Sequence, residues 1–263
     1  MNATVTATAH SVPDKIMTNS HLEAIVDTSD EWIRSRTGIV QRHVVDESEA
    51  TSDISTEIAK NLLAKRGIGP EEIDVIIVGT VTPDHFTPST AAIVQENINA
   101  KNAWGFDLSA ACSGFLYGLV TGANFIKSGQ HKKVMVIGVD TMTSILDFQD
   151  RDTCVIFGDG GGGVILEPTN YSYGIIDSIM RMDGSGGDYL IVPGGGSRIP
   201  ATIDSVKDRK HYIKQDGKTV FKHAVKGMAE VSEKILSNNN LSGKDVSLFI
   251  PHQANKRIID AAA

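Results

Sequence analysis

The sequence predicts an α/β fold in which helices pack on a sheet. Two observations lead to this prediction. Short apolar, β-branched runs alternate along the chain with segments of helical spacing. Apolar residues also make up 41% of the 263 residues, and no long biased tract interrupts them. That composition suffices for a substantial core, and the length fits one large domain or two small ones.

Each element follows from its local pattern. Apolar residues at helical spacing predict helices, and Gly67 suits the end of the first one. Runs of β-branched residues predict strands, and a glycine cluster lies inside one of them. The predicted helices are residues 54–65, 89–99, 112–128 and 220–236, and another helix follows His252. The predicted strands are residues 73–79, 104–108, 133–139, 155–166, 171–182 and 246–250.

Charge and composition exclude several classes of protein. The net charge of −7 speaks against non-specific nucleic-acid binding. No apolar run approaches the length of a membrane span, and the first 15 residues lack the apolar region of a signal peptide. Two cysteines, Cys112 and Cys154, are too few for a disulfide framework. We therefore expect a cytoplasmic protein that binds neither nucleic acid nor a membrane.

A faint internal repeat is visible. A helix, then Ile68-Gly69-Pro70, then the strand from Asp74 is similar to a helix, then Leu241-Ser242-Gly243, then the strand from Asp245. The similarity indicates either a duplicated half or a chance match between two helix–strand units.

Cys112 lies where a predicted strand ends and a predicted helix begins, among the small residues Ser109, Ala110 and Ala111. A thiol at a helix N-terminus feels the positive end of the helix dipole, so we expect a pKa below the free value of about 8.5. Its small neighbours leave room for a substrate. The local pattern alone fits a reactive nucleophile and a small buried cysteine about equally well.

The predicted helix after Cys112 carries glycines at every fourth position, Gly114, Gly118 and Gly122. Each interior glycine costs roughly 1 kcal/mol relative to alanine, so the stripe calls for a reason. The simplest is a helix or strand that passes very close along that face.

His252 directly follows the last predicted strand, within Pro251-His252-Gln253-Ala254-Asn255. Polar residues at the end of a strand are common in the active sites of α/β proteins, although a lone histidine is more often structural or exposed. A cysteine and a histidine at equivalent ends of two repeated units favour Cys–His chemistry.

The segment from Gly158 to Gly163 formally contains the dinucleotide-binding pattern. We reject that function, because a predicted strand follows the glycines where the pattern requires a helix. A tight turn or a close backbone approach beside a pocket is the expected role. The histidines show no zinc-ligand spacing, so no metal site is predicted.

Together these residues closely resemble the β-ketoacyl-acyl-carrier-protein synthase III family, the condensing enzymes that initiate fatty-acid synthesis. The resemblance spans nearly the whole chain and depends on several motifs in the family's order. They are Asp30-Glu31-Trp32-Ile33, Arg36-Thr37-Gly38-Ile39, the Cys112 segment, Phe157-Gly158-Asp159-Gly160, Val220-Phe221-Lys222 and Pro251-His252-Gln253-Ala254-Asn255.

The resemblance implies a thiolase-like fold of two duplicated halves with layered sheets and helices, usually a homodimer. Residues 1–167 would form the half with the nucleophilic cysteine, and residues 168–263 an incomplete half with the catalytic histidine. Cys112 would take an acyl group from acyl-coenzyme A. Malonyl-acyl-carrier protein would then lose carbon dioxide, and its carbanion would attack the acyl-cysteine, while His252 stabilises the enolate oxygen.

The resemblance also assigns binding residues. Trp32 and Arg151 resemble the pair that sandwiches the adenine of coenzyme A, and Thr28 and Arg36 resemble further coenzyme contacts. Asn255 resembles a residue that orders water near the pantetheine arm. Lys222 and Arg257 match the family's carrier-protein docking residues, and Lys256 directly precedes Arg257. Coenzyme A is a substrate here, so no cofactor is expected.

Two departures from the family qualify these expectations. No Gly-Asn-Thr segment with the third catalytic residue follows His252, so we expect either a fragment or a protein without an intact decarboxylation site. A fragment would also lack the helix that packs on the glycine stripe, and would not be a stable, fully active enzyme. Some relatives have a large aromatic residue where this chain has Thr87, which predicts an acyl pocket with more room.

The predicted function is therefore a synthase III enzyme, an acyltransferase whose natural primer the sequence does not identify. Two alternatives remain open. One is a non-condensing remnant that binds acyl groups or carrier protein without turnover, and the other is a related condensing enzyme of secondary metabolism.

Overall fold

The structure of the protein, a computed structural model, describes residues 2–263. It contains two compact units. The first unit consists of the described residues up to Lys15, His43–Thr141 and Asp159–Ser178, and the second of Ile16–Arg42, Met142–Gly158 and Ile179–Ala263. Within the described residues, no helix combines the length and the apolar character that crossing a membrane requires.

The first unit is a five-stranded sheet with helices on both faces, in the strand order β1-β7-β6-β4-β5. Strand β4 pairs in parallel with both β5 and β6, while β7 pairs antiparallel with both β6 and β1. The strands are β1 (Asn2–Ser11), β4 (Val75–Gly79), β5 (Trp104–Leu108), β6 (Val134–Thr141) and β7 (Asp159–Thr169). The helices are α3 (Thr51–Arg66), α4 (Thr90–Asn97) and α5 (Gly114–Lys127).

The sheet separates two apolar cores, because successive side chains of a strand point to opposite faces. Ile76 and Val78 of β4 face the core that α3 and α4 cover, whereas Val75 and Ile77 face the core under α5. A strand buried on both faces has no polar alternation, and this explains why Val75–Gly79 contains no polar side chain.

The second unit is built from shorter elements. They are β2 (Ile16–Thr18), α1 (Asn19–Glu23), α2 (Asp30–Thr37), β3 (Gln41–His43), α6 (Arg151–Cys154), β8 (Leu190–Ile191), α7 (Ile203–Lys207), β9 (Lys214–Gln215), α8 (Gly217–Asn238) and α9 (Lys256–Ala262). Strands β2 and β3 pair with each other, as do β8 and β9. Leu22, Ile33, Cys154 and Val155 form a small buried core.

The predicted α/β class is confirmed, and most element boundaries agree within a few residues. Local capping explains the agreement. Gly67 ends α3 in the left-handed conformation at φ 72°, and the Ser89 hydroxyl accepts the Ala92 N–H at 3.2 Å to start α4. The predicted strand 155–166 begins later, at Asp159.

Two predicted strands are wrong. Residues 171–182 and 246–250 form no strand in the part of the chain that the structure describes. The first segment contacts β1 through a backbone hydrogen bond from the Ile175 N–H to the Ala3 carbonyl at 2.8 Å, and this bond does not extend into a paired strand. In the second, Leu248 and Ile250 are exposed. An apolar run becomes a strand only where a neighbour supplies hydrogen bonds along its length.

The glycine stripe of α5 packs on the sheet itself, so the expected helix partner from outside this chain is wrong. A Cβ atom at Gly118 would lie 2.9 Å from Cγ1 of Val136, and one at Gly122 would lie 3.0 Å from Cγ1 of Val134. The glycines let α5 approach β6 more closely than alanine would. The glycines of residues 160–163 lie in β7, where a Cβ atom at Gly163 would meet Ile58 of α3 at 2.9 Å.

Each compact unit is made of three separate segments of the chain, whereas each predicted half, 1–167 and 168–263, is one continuous segment. The halves concern duplication rather than compactness, and they stay a prediction. Part of the suspected repeat is present: α3 is followed by the 3-10 turn Pro70–Glu72, and α8 by the 3-10 turn Gly243–Asp245.

Candidate active site

Cys112 lies in the tight 3-10 turn Ala111–Ser113, between the end of β5 and the start of α5. Ala111 takes a left-handed conformation at φ 45°, which an alanine rarely adopts. The thiol is exposed. Such a turn at the carboxyl end of a parallel strand presents a side chain to an incoming substrate.

Residues at the end of the neighbouring strand, β4, hold this turn in place. The Thr80 N–H donates to the Leu108 carbonyl at 3.2 Å, just before the turn. Just after it, a Cβ atom at Gly79 would lie 2.8 Å from the carbonyl carbon of Gly114. Only glycine at position 79 allows this backbone contact, so Cys112 lies on a rigid support.

The expectation of a low pKa for Cys112 is wrong in direction. The surrounding protein removes water from the thiolate and raises the pKa of Cys112, and the Asp140 carboxylate raises it further. One side of Cys112 is exposed, so a substrate can reach the thiol. The other sides are packed against protein, and this disfavours the thiolate. The thiol therefore needs a proton acceptor in order to react.

His252 lies in the second unit, in the loop before α9. Its side chain is exposed, but partial desolvation lowers the pKa of the imidazole. The ring is therefore neutral at pH 7. A neutral imidazole can accept a proton at one nitrogen and donate a hydrogen bond from the other.

Trp32 and Arg151, predicted to act as a pair, are in contact in the second unit. The guanidinium carbon of Arg151 lies 4.3 Å from the centroid of the Trp32 ring. The Ser29 hydroxyl caps α2 at the Trp32 N–H, and Arg151 is the first residue of α6. A planar ring could stack on either partner, but the two must move apart for it to insert between them.

Two further predicted coenzyme contacts lie near Trp32 in sequence. The hydroxyl oxygen of Thr28 is buried and has no hydrogen-bond partner among the described residues. A buried hydroxyl without a partner is costly and suits a ligand contact. Arg36 lies in the last turn of α2 and is exposed.

The predicted residues around α9 have different environments. The side-chain oxygen of Asn255 accepts the Ile258 N–H at 3.0 Å and so caps α9. Lys256 pairs with Asp260 on the same helix. The guanidinium carbon of Arg257 lies 5.5 Å from the centroid of the Phe221 ring, and Lys222, the next residue of α8, is exposed.

Thr87 is exposed in the first unit, next to Phe86, which is 93% exposed. Cys112 and Thr87 belong to the first unit, and the other predicted site residues belong to the second. Sequence reasoning missed Asp140, whose carboxylate affects Cys112, and no local motif marks it. Within the described residues, no group of three His, Cys, Asp or Glu side chains could hold a metal ion.

Comparisons with known proteins identify the family that this chain is similar to. Residues 106–184, which include Cys112, match the family model of 3-oxoacyl-[acyl-carrier-protein] synthase III. The β-ketoacyl-[acyl-carrier-protein] synthase III of Chlorobaculum tepidum is 56% identical over 100% of this chain and 81% of its own length. The enzyme of that name from Koribacter versatilis is 54% identical over 99% of this chain and 79% of its own.

Solved structures give the same result. The 3-oxoacyl-[acyl-carrier-protein] synthase III of Aquifex aeolicus superposes with a TM-score of 0.91 and 41% identity, covering 99% of this chain and 80% of that one. The priming β-ketosynthase of the R1128 polyketide biosynthetic pathway superposes with a TM-score of 0.88 and 30% identity, covering 99% of this chain and 77% of its own.

Proposed function

Since the chain belongs to the β-ketoacyl-[acyl-carrier-protein] synthase III family, with its thiolase-like fold, we propose that Cys112 and His252 carry its condensation chemistry. The enzyme is a condensing acyltransferase of fatty-acid biosynthesis. Its proposed substrates are an acyl-coenzyme A primer and malonyl-acyl-carrier protein. We also propose a cytoplasmic location. The observation that supports Cys112 most directly is its exposed position on the rigid turn between β5 and α5.

In the first half-reaction, the Cys112 sulfur forms a thioester with the acyl group. The bond from that group to the sulfur of coenzyme A breaks, and the thiol proton ends on the departing thiolate. The pKa of Cys112 is raised, so a neighbouring base must carry this proton. Trp32 and Arg151 would hold the adenine, with Thr28, Arg36 and Asn255 as further coenzyme contacts.

In the second half-reaction, malonyl-acyl-carrier protein loses carbon dioxide. The resulting carbanion attacks the acyl carbon, and Cys112 leaves as the thiolate. His252 would donate a hydrogen bond to the enolate oxygen while this charge develops. The lowered pKa of His252 supports a neutral ring, which disfavours protonation of the carbanion itself.

Acyl labelling tests the nucleophile. The protein is incubated with acetyl- or isobutyryl-coenzyme A, and the adduct is mapped by peptide mass spectrometry. We expect label on Cys112, while Cys154, which is 0% exposed, acts as an internal control. Cys112→Ala should abolish condensation without unfolding the protein. Label on Cys154 alone, or on neither cysteine, would refute the assignment.

His252→Ala separates the half-reactions. Loss of one donor to an oxyanion typically costs on the order of 10²–10³ in rate. We expect a loss of that size in carbon dioxide release from malonyl-acyl-carrier protein, with a smaller effect on labelling of Cys112. Equal losses in both would contradict a role at the enolate. A non-condensing remnant would release no carbon dioxide even with both residues intact, and a secondary-metabolite enzyme would prefer another carrier protein.

Carrier-protein docking is proposed at Lys222, Lys256 and Arg257, because the carrier of this pathway is acidic. Lys222→Glu with Arg257→Glu should weaken use of malonyl-carrier protein far more than acylation from coenzyme A. Lys60→Glu, on α3 in the other unit, is the matched control and should change neither. Equal losses in both half-reactions would rule out this docking surface.

A homodimer is proposed through β5. This strand is at one end of the sheet order, and Trp104 on it is 47% exposed. An edge strand with an exposed apolar side chain invites pairing with a second copy. Trp104→Lys should shift the sedimentation of the protein towards the monomer, and an unchanged dimer would exclude this edge.

A further inference from the structure

Asp147 holds the backbone that leads to Arg151. Its carbonyl accepts the Asp150 N–H at 2.8 Å, and its Oδ1 atom accepts the Gln149 N–H at 2.8 Å. Asp150 in turn caps α6 by accepting the Asp152 N–H at 3.0 Å, and Arg151 is the first residue of that helix. The position of Arg151 therefore depends on the position of Asp147.

The Asp147 carboxylate is itself held by Arg209, 62 residues further along the chain. The Nε atom of Arg209 donates to Oδ2 at 2.6 Å, and its Nη2 atom donates to Oδ1. Two parallel bonds from a planar guanidinium fix the orientation of a carboxylate as well as its distance. Asp147 is 3% exposed, so water does not compete strongly for these bonds. The Lys214 ammonium, at 3.6 Å from Oδ2, adds charge but no directional bond.

The guanidinium that holds Asp147 belongs to residues 203–213, which we call the α7 segment. The segment is braced internally, since the Ser205 hydroxyl lies 2.9 Å from Nε2 of His211. At its end, the Ile213 N–H donates to the Ile145 carbonyl at 2.9 Å. The α7 segment is thus joined to the residues before α6 at two points.

The backbone of Arg209 is strained. Its φ of 56° lies in the left-handed region, which residues other than glycine rarely adopt. Such a conformation persists only where the surroundings hold it. Here the bonds to Asp147 hold it, together with the contact of the guanidinium carbon with the Tyr212 ring, 5.0 Å from the ring centroid. The strain indicates that this residue is fixed in place for a reason beyond chain connection.

The other end of this chain of contacts is Trp32. The guanidinium carbon of Arg151 lies 4.3 Å from the centroid of the half-buried Trp32 ring. Phe148, between Asp147 and Arg151, packs against the same small core as Trp32. Because the ring and the segment rest on one core, a shift of the segment changes the separation of the guanidinium from the ring.

We propose that Asp147 and Arg209 are positioning residues for the pair of Trp32 and Arg151: their two hydrogen bonds fix the residues before α6 and so keep the Arg151 guanidinium over the indole ring. For coenzyme binding this inference rests on the proposed function. An adenine enters by displacing the long Arg151 side chain, and a fixed backbone returns the guanidinium to the outer face of the base. The cover of Trp32 in the free protein does not depend on that function.

Fluorescence quenching by acrylamide measures this cover without any substrate. The chain has two tryptophans, so Trp104→Phe leaves Trp32 as the one that emits. In that background Arg151→Ala removes the cover and sets the upper limit of the quenching constant. We expect Arg209→Met to raise the constant towards this limit, at a temperature where the variant is fully folded.

Three further variants control the measurement. Lys210→Met is the matched control, because the ion pair of Lys210 with Asp208 at 2.9 Å stays within the α7 segment, and it should leave quenching unchanged. Arg209→Lys keeps the charge without the paired bonds and should give an intermediate value. Asp147→Asn keeps an oxygen for the backbone, and combined with Arg209→Met it should act no more strongly than the stronger single variant, since both break one contact.

Kinetics then test the coenzyme. Arg209→Met should raise the KM for acetyl-coenzyme A about twofold to fivefold, the weight of one cation–π contact at an exposed site. The KM for acetyl-pantetheine and the kcat with either substrate should not change. A merely structural role would lower the melting temperature alone, with the quenching constant and the ratio of the two KM values unchanged.

Unchanged quenching of Trp32 in folded Arg209→Met overturns the proposal. If that variant does not melt cooperatively, the milder Arg209→Lys and Asp147→Asn replace it with the same expected direction. If quenching rises as expected but both substrates respond equally, the adenine site of the proposed function fails and the positioning role survives.

Discussion

Adding one methyl group to the glycine face of α5 should destabilise the protein, although alanine is normally the better helix residue. In Gly118→Ala the new Cβ atom would lie 2.9 Å from Cγ1 of Val136 and 3.4 Å from Cγ2 of Ile77. Valine is β-branched and stiff about χ1, and Val136 is fixed in a central strand, so it cannot turn aside. Gly122→Ala would meet Cγ2 of the same valine at 3.2 Å.

The magnitude follows from two opposing terms. Alanine gains about 1 kcal/mol over glycine in a helix interior, whereas overpacking a core costs typically about 1–3 kcal/mol. We expect a net loss of about 1 kcal/mol for Gly118→Ala. Gly227→Ala in α8 is the matched control, because no atom lies within 4 Å of the position that its new methyl group would take. It should gain about 1 kcal/mol, so the two variants should differ in sign.

Urea unfolding at equilibrium measures both variants. A double-mutant cycle then tests the cause, since Val136→Ala removes the methyl groups that the new Cβ atom would strike. In that background Gly118→Ala should cost less or even stabilise, with a coupling free energy of about 0.5–3 kcal/mol. The reasoning is refuted if Gly118→Ala stabilises as much as Gly227→Ala, or if the cycle shows no coupling.

Three further predictions concern the second unit and the acyl pocket. Arg209 holds the pKa of the buried Asp147 at about 2. Because this folded-state pKa is below the unfolded value, the ion pair adds stability above about pH 4, and that stability is lost as the pH falls towards 2. Arg209→Met should therefore lower the free energy of unfolding in urea by roughly 1–2 kcal/mol at pH 7 and by almost nothing near pH 2, and a loss that does not depend on pH would exclude this ion pair as the cause. Trp32→Ala should raise the KM for acetyl-coenzyme A about tenfold and leave that for acetyl-pantetheine, which has no adenine, unchanged; equal effects on both substrates would contradict an adenine site at Trp32 and Arg151. Thr87→Phe should shift preference from isobutyryl- towards acetyl-coenzyme A by about 1–3 kcal/mol, and an unchanged ratio of rates would count against Thr87 as a pocket residue.

The elements predicted from sequence succeed where all the information is local. The apolar run ending at Gly79 is a strand because its side chains fill cores on both faces of the sheet. The Ser89 cap and the left-handed Gly67 mark helix ends through their own backbone bonds and dihedral angles. Each of these signals depends on only a few adjacent residues, so the sequence alone is enough to recognise it.

The failures share a different cause. Residues 246–250 have the composition of a strand, yet a strand is defined by its neighbour, and no composition identifies the neighbour. The glycine stripe correctly predicts a close partner, but the partner is the sheet beneath α5, at Val136 and Leu166. Trp32 and Arg151, far apart in sequence, are paired only through the family resemblance. Periodicity alone does not bring them together.

Cys112 shows most clearly where local reasoning ends. The turn and the helix start are correctly predicted, and the helix dipole should lower the pKa of a thiol placed there. The dipole amounts to roughly half an elementary charge at the helix terminus, and Cys112 precedes the first helical residue by two positions. Desolvation of the thiolate, and after it the Asp140 carboxylate, raise the pKa instead. Asp140 affects the turn because β6 and β5 flank β4 in the sheet, an order that the sequence does not state. The surroundings of this cysteine therefore depend on the strand order of the sheet as well as on the Cys112 segment itself, and only the segment can be seen in the sequence.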